Sequence, residues 1–120
     1  MADLIDSVLE TVKKQIGIEP EYTHFDPDIV MAINSAFVIL CQLGVGPDKP
    51  YSIEDKYNTW DEFEGPGVSE AVKTIIGLRV KLIFDPPTNS YLIDNIEKQI
   101  RELEYRLLVN ADEELQDVSE

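Results

Sequence analysis

The sequence predicts an all-α fold of four main helices, with a possible short fifth helix, packed as a small bundle with a long central helix pair. Apolar residues recur at spacings of three and four along four separate segments, which is the period of an amphipathic helix. Glycine or proline follows each of the first three segments. A length of 120 residues, 43% of them hydrophobic, suits one globular domain. We expect that domain over residues 1–110, with a long loop at 45–67 and an acidic, flexible tail at 111–120.

The first predicted helix runs from Leu4 to Gly17. Asp3 can accept hydrogen bonds from the free amides of the first turn, and Lys13 and Lys14 suit the negative end of the helix dipole. Its apolar stripe consists of Leu4, Ile5, Val8, Leu9, Val12 and Ile16. One stripe on so short a helix must pack against another element.

The second predicted helix begins with Asp26 as its N-cap and Pro27 at the first helical position, and Asp28 adds charge to the first turn. It ends at Gly44. Its apolar surface covers more than one side, so we expect the helix to be largely buried, either by its own domain or by a partner. The apolar positions are Ile29, Val30, Ile33, Ala36, Phe37, Val38, Leu40, Cys41 and Leu43.

The periodic pattern lapses between residues 45 and 67, where glycine, proline and acidic residues are frequent. A loop of roughly 20 residues is unusual in a small compact domain and is more often functional than filler. A single helical turn is expected at 59–63, with Thr59 as its cap and Glu62 reaching back in a capping box.

The third predicted helix, Val68 to Phe84, is apolar on nearly all sides. Its β-branched residues are also compatible with a strand over 74–84. The length of the segment and the row Ala71, Ile75, Leu78 and Leu82 favour a helix, which Pro86 and Pro87 end.

The fourth predicted helix starts near Thr88 or Ser90 and runs to about Asn110. Glu97 and Arg101 form an i,i+4 pair on its flank. Its apolar positions repeat at spacings of three and four, as in a heptad seam. The seam residues are Ile93, Ile96, Ile100, Leu103 and Leu107.

The charge is the most unusual property of the sequence. Twenty-four acidic residues against 10 basic ones give a net charge of −14. That balance excludes a protein that grips nucleic-acid phosphates over a broad basic face, and it disfavours docking on an anionic membrane. No stretch approaches the roughly 20 apolar residues of a membrane span. Cys41, the single cysteine, cannot close an internal disulfide, so we expect a soluble intracellular protein.

One pattern loosely matches a metal-dependent nuclease signature: Pro47-Asp48 followed by Glu54-Asp55-Lys56. In such enzymes two carboxylates hold Mg²⁺ and a lysine polarises the attacking water. Those groups normally lie on adjacent strands, whereas these lie in a loop between helices of a chain that would repel DNA. We interpret the match as chance and expect no catalytic residue.

Five residues near the start of the second helix are candidate metal ligands by type. They are Glu19, Glu21, His24, Asp26 and Asp28. Helix capping explains the two aspartates better, and no HxxxH, CxxC or calcium-loop spacing supports a site. Glycine-rich phosphate loops are also missing from the sequence. We expect no metal and no cofactor.

Two groups of residues in the loop are the candidate functional residues. The aromatic group either packs the loop onto its own core or anchors a partner, and we favour an interface. Its members are Tyr51, Tyr57, Trp60 and Phe63. The acidic group is either a solvated face or a surface that repels nucleic acid or meets a basic partner. Its members are Glu54, Asp55, Asp61, Glu62 and Glu64.

Six segments in order along the chain carry a resemblance to a known family. They are YTHFDPDI at 22–29, INSAF at 33–37, QLGVGP at 42–47, WDEF at 60–63, LIFDPPT at 82–88 and ELEYRL at 102–107. With these segments the sequence resembles the head–tail connector proteins of long-tailed bacteriophages, also called head completion or adaptor proteins. The segments at 33–37 and 84–88 are the most specific.

The resemblance implies an all-α protein without enzymatic activity that assembles into a ring beneath the portal of the filled capsid. The ring is expected to be a dodecamer in the virion, matching the portal. Its expected partners are the portal protein and the next neck or tail-completion protein. DNA passes through without specific binding. The expected location is the head–tail interface of the virion, and the host cytoplasm during assembly.

The acidity suits this interpretation, because negative walls keep DNA phosphates from adhering to a conduit. We therefore expect some of the five loop carboxylates to face the channel. Two alternatives remain open from the sequence. One is an acidic DNA mimic that inhibits a nucleic-acid-binding enzyme, and the other is a generic helical interaction subunit without a phage role.

Overall fold

The computed structural model describes residues 7–46, 51–64 and 70–118, and their side chains except at 64 and 110–118. These parts of the chain are helical and contain no strand. A single isolated bridge pairs Ser7 with Thr59. The helices are α1 (Val8–Gln15), α2 (Asp26–Gln42), α3 (Asp61–Glu64), α4 (Glu70–Phe84) and α5 (Ser90–Val118). The predicted all-α fold of four main helices and one short helix is confirmed.

Helix α1 begins at Val8 rather than at the predicted Leu4. Ser7 is extended and caps the helix, and its hydroxyl accepts a hydrogen bond from the Glu10 amide at 3.2 Å. The Val8 amide donates to the Asn58 carbonyl at 3.1 Å. This contact with a distant segment sets the start of the helix, and the predicted cap, Asp3, lies outside the described residues.

Helix α2 begins at Asp26, so the prediction that Asp26 is its N-cap is wrong. Phe25 occupies the cap position and makes no side-chain capping bond there. The Asp26 carboxylate instead lies 2.9 Å from the Nζ of Lys13. The helix ends at Gln42, two residues before the predicted end at Gly44, and Gly44 has a φ of 86°, a left-handed conformation that glycine adopts without strain.

The short predicted helix is present as α3, at Asp61–Glu64. Its predicted capping box does not form. The Glu62 carboxylate instead accepts hydrogen bonds from the Tyr51 hydroxyl at 2.8 Å and from the Asn58 side chain at 3.0 Å. Tertiary partners therefore outcompete the local bond.

Residues 74–84 are helical and belong to α4, so the strand alternative for this segment is wrong. Residues 68 and 69 of the predicted helix lie outside the described residues. Helix α5 begins at Ser90. The Asn89 side chain, which was not predicted to have a role, accepts a hydrogen bond from the Tyr91 amide at 2.8 Å. The helix extends to Val118, beyond the predicted end near Asn110. The flexibility of residues 111–120 stays a prediction.

The helices form a thin layer with α4 at its centre. Helix α4 packs against both α2 and α5, while α1 packs against both α2 and α4. The molecule measures 50 × 42 × 19 Å, and a helix with its side chains is about 10–12 Å across. The layer is therefore less than two helices thick. Ile96, Ile100, Leu103 and Leu107 of the predicted seam pack against the core.

Candidate functional site

The segment 51–63 lies against α2 and is fixed to it by Asn34. The Asn34 amide nitrogen donates to the Ile53 carbonyl at 3.1 Å, and its oxygen accepts from the Ile53 amide at 2.7 Å. This pair of bonds satisfies the backbone of a buried loop residue as a neighbouring strand would. The Asn58 side chain then closes the following turn by accepting from the amides of Glu54 and Asp55, at 2.8 and 3.2 Å.

An aromatic cluster centred on Phe37 of α2 holds the other end of this segment. Its ring centroid lies 5.0 Å from that of Tyr51, 4.6 Å from that of Phe63 and 6.3 Å from that of Trp60. The Trp60 indole also donates to the Thr11 hydroxyl at 3.1 Å, which ties the segment to α1. These contacts fasten 51–63 to two helices.

The four predicted interface aromatics therefore differ in exposure. Trp60 and Phe63 are only 3% and 1% exposed, and Tyr51 is half-buried. Tyr57 is 59% exposed, and the Nζ of Lys56 lies 5.4 Å from its ring centroid. The interface role stays a prediction. The exposed ring of Tyr57 can contact a partner in the fold as it stands, whereas Trp60 and Phe63 would first have to leave the core.

Four of the five predicted channel-lining acids lie together on the surface of the same segment. Glu54, Asp55, Asp61 and Glu62 are exposed, while the side chain of Glu64 lies outside the described residues. Three of the four carboxylates also hold the segment in shape. Asp55 accepts from the Tyr57 amide at 2.9 Å, Asp61 accepts from the Thr59 hydroxyl, and Glu62 accepts from Tyr51.

Tyr51 is a neutral donor in this arrangement. Burial raises the pKa of its phenol, and the hydrogen bond to Glu62 and the negative charges of Glu62 and Asp61 raise it further. The hydroxyl therefore keeps its proton far into the alkaline range, and the bond to Glu62 persists throughout physiological pH.

Residues 16–25 form a second anchored segment, which was not predicted from the sequence. Lys13 is fully buried, and its Nζ donates to the carbonyls of Pro20 and Tyr22 at 3.0 and 2.9 Å. Its third partner, the Asp26 carboxylate, forms an ion pair at 2.9 Å rather than an aligned hydrogen bond. One signal was available, because Lys13 lies four residues after Leu9 and so shares the apolar face of α1.

Arg79 and Glu104 form another unpredicted contact, between α4 and α5. The Arg79 Nε donates to the Glu104 carboxylate at 2.9 Å, and Nη2 reaches the same oxygen. Both side chains are largely shielded from solvent. This charge-assisted pair fixes the register of α5 along α4.

The nuclease-like pattern is not assembled into a site in the described structure. Pro47 and Asp48 lie outside the described residues, while Glu54, Asp55 and Lys56 are exposed on the loop segment. Among the described residues, no group of three or more histidine, cysteine or acidic side chains is placed to hold a metal ion.

Cys41 is half-buried with a free thiol. Within the described part of the chain, every helix is too short or too polar to cross a membrane.

Comparison with known proteins identifies the family. A family model described as "Phage connector protein" matches residues 8–114, which include all five helices apart from the end of α5. No curated protein and no solved structure matches the chain significantly. The matched range covers most of the sequence and bears out the resemblance in the six segments. The chain belongs to the phage connector protein family.

Proposed function

We propose that this chain is a neck protein that forms a ring beneath the portal of the filled phage head. The ring extends the DNA channel and links the head to the next neck or tail-completion protein. The family match over residues 8–114 carries this proposal, because the phage connector family has a structural role at the head–tail junction. A dodecamer would match the symmetry of the portal. The protein would assemble in the host cytoplasm and reside in the virion.

The exposed apolar surface supports self-assembly. Met31, Ile83 and Tyr105 are 70%, 62% and 66% exposed, and they lie on three different helices. Met31 and Ile83 line the same depression, and a contiguous exposed apolar patch of this kind is typical of an interaction surface. Contacts between different faces of identical subunits generate rings when the rotation closes.

The acidic segment 51–63 supports a place along the channel. Glu54, Asp55, Asp61 and Glu62 project from a backbone that Asn34 and Asn58 hold in place, and Glu64 follows in the sequence. Because this backbone is already ordered, its carboxylates can repel DNA phosphates without first having to order a mobile loop. We infer that these acids line the conduit, and that Tyr57 on the same segment contacts the portal or the next neck protein at the rim.

Binding to the portal tests the proposal. Purified protein and isolated portal rings are expected to cosediment, and Tyr57→Ala is expected to weaken binding by about tenfold, the effect of a moderate interface contact. Tyr22→Ala, at a comparably exposed tyrosine on another segment, is the matched control. A wild-type protein that never binds the portal contradicts the proposal. A salt-sensitive complex with a basic enzyme in its place would favour the DNA-mimic alternative.

A further inference from the structure

The solvent side of α2 carries an apolar row with an acidic end. Asp28, Met31, Ser35 and Val38 follow one another at spacings of three and four, on the side of the helix opposite its buried residues. Ile83, at the end of α4, continues the same surface, and a depression joins it to Met31. We call these five residues the α2 face.

The depression gives the α2 face a concave centre. It has a volume of about 410 Å³, and its lining includes Phe25, Ala32 and Phe84. The rings of Phe25 and Phe84 in this lining meet edge to face at 5.2 Å. Asp28 is the charged residue of this lining. The pocket suits an aromatic or long aliphatic side chain that brings a positive charge to its rim.

The solvent side of α5 has the complementary composition. The residues on this side lie opposite the heptad seam. They include exposed aromatic rings and several basic side chains, although the whole chain has only 10 basic residues. We call these residues the α5 face: Tyr91, Lys98, Arg101, Tyr105 and Arg106. Asp94 and Glu102 lie on the same side of the helix, so three basic residues stand beside two acidic ones. The shallow groove around Tyr105 holds all three basic residues and Glu102.

The α2 face and the α5 face share no residue. Helix α4 packs against α2 and against α5, and each of these two helices directs its apolar side inward. The outer sides of α2 and α5 are therefore both left in solvent. A contact between two different faces leaves one free face at each end and propagates from copy to copy.

We propose that the α2 face of one copy binds the α5 face of the next. Tyr105 or Tyr91 enters the depression beside Met31 and Ile83, while the neighbouring arginines or Lys98 pair with Asp28. The proposal rests on the proposed function, because it names the contact between neighbouring subunits of the ring. Charge complementarity selects a second copy of this chain as the occupant, since the chain supplies both an apolar face with an acidic end and an aromatic face with cations.

Two variants that each block one face test this pairing. Met31→Asp places a negative charge in the α2 face and leaves the α5 face intact. Tyr105→Asp places a negative charge in the α5 face and leaves the α2 face intact. Both positions are exposed, so neither variant is expected to disturb the fold. Each variant alone should associate at least about 100-fold more weakly than the wild type, because its contact would bury an unpaired charge. Thr74→Asp, an exposed α4 position outside both faces, is the control of equal charge and should associate normally.

The decisive sample is an equimolar mixture of the two blocked variants, examined by analytical ultracentrifugation. The intact α5 face of one variant should bind the intact α2 face of the other and stop there, giving a dimer of twice the 13.6 kDa chain mass. A mixture that stays monomeric overturns the pairing, and so does a wild type that stays monomeric at high concentration. Variants that still form wild-type assemblies overturn it as well. Portal cosedimentation is a separate readout, so these results leave the proposed function standing.

Discussion

Two irregular segments of this molecule are fastened to the helices by opposite kinds of chemistry. Residues 51–63 are held by aromatic burial and neutral hydrogen bonds around Phe37 and Asn34. Residues 16–25 are held by one buried cation, the Nζ of Lys13, which contacts two carbonyls and a carboxylate. The first segment spreads its polar attachment over several side chains, whereas the polar attachment of the second converges on one atom, with Ile16, Ile18 and Phe25 adding apolar contacts to the core. The comparison predicts different sensitivities to substitution.

The aromatic anchor should give the largest single effect. Phe63→Ala removes a ring that is 1% exposed and packs against Phe37 and Tyr51. We expect a loss of about 3–5 kcal/mol in the free energy of unfolding, the usual cost of deleting a fully buried aromatic ring. Urea denaturation measures it. Tyr57→Ala on the same segment is the control and should cost under about 0.5 kcal/mol, because its ring is exposed. Equal losses at the two positions would contradict the described cluster.

The buried cation should come next. Lys13→Met keeps most of the side-chain volume but leaves the Asp26 carboxylate and two carbonyls without their donor. We expect about 3 kcal/mol, the lower end for a broken buried pair, because the Asp26 side chain is 24% exposed. Lys14→Met, at the exposed neighbouring position, should be close to neutral. Chemical denaturation of the two variants in parallel provides the test, and similar stabilities would refute the role of Lys13.

A smaller effect should separate two glycines that share a backbone conformation. Gly44 and Gly46 have φ values of 86° and 98°. A Cβ at position 46 would lie 2.5 Å from the Phe63 ring, whereas a Cβ at position 44 meets nothing within 4 Å. Gly44→Ala should therefore cost only the backbone strain, about 1–2 kcal/mol. Gly46→Ala should cost about 1–3 kcal/mol more through overpacking. Thermal or urea denaturation measures that difference, and its absence would mean that Phe63 does not occupy this position.

The smallest effect concerns Tyr51 and depends on pH. Tyr51→Phe removes the hydrogen bond to the exposed Glu62 and should cost about 0.5–1 kcal/mol at pH 7. The folded pKa of this phenol is raised above its ordinary value of 10.0, so the unfolded chain releases the proton first. The stabilisation is complete below pH 10 and declines as pH rises above it. Wild-type protein should therefore lose more stability than Tyr51→Phe between pH 9.5 and 11, and parallel pH profiles would contradict this.

The contrast between the segments also explains what the sequence could predict. Apolar periodicity found α2, α4 and the start of α5, because each helix buries a continuous stripe. The aromatic content of 51–63 marked that segment as important. Periodicity could not say whether Trp60 and Phe63 faced their own core or a partner, since both environments favour the same residues.

The polar contacts were harder to predict because their partners are distant in the sequence. Asp26 satisfies the local pattern of an N-cap, yet its carboxylate contacts Lys13. Glu62 satisfies the pattern of a capping box, yet it bonds to Tyr51. A local motif states which bond a side chain could make, and the tertiary fold decides which bond it does make.

Electron microscopy of phage heads that bear portals, mixed with the purified protein, tests the central claim most directly. The account predicts a ring of twelve copies under the portal, with the acidic residues of 51–63 facing the channel and the α2 face of each copy against the α5 face of the next. Portals that remain bare, or a ring whose segment 51–63 lies on the outer surface, would contradict it.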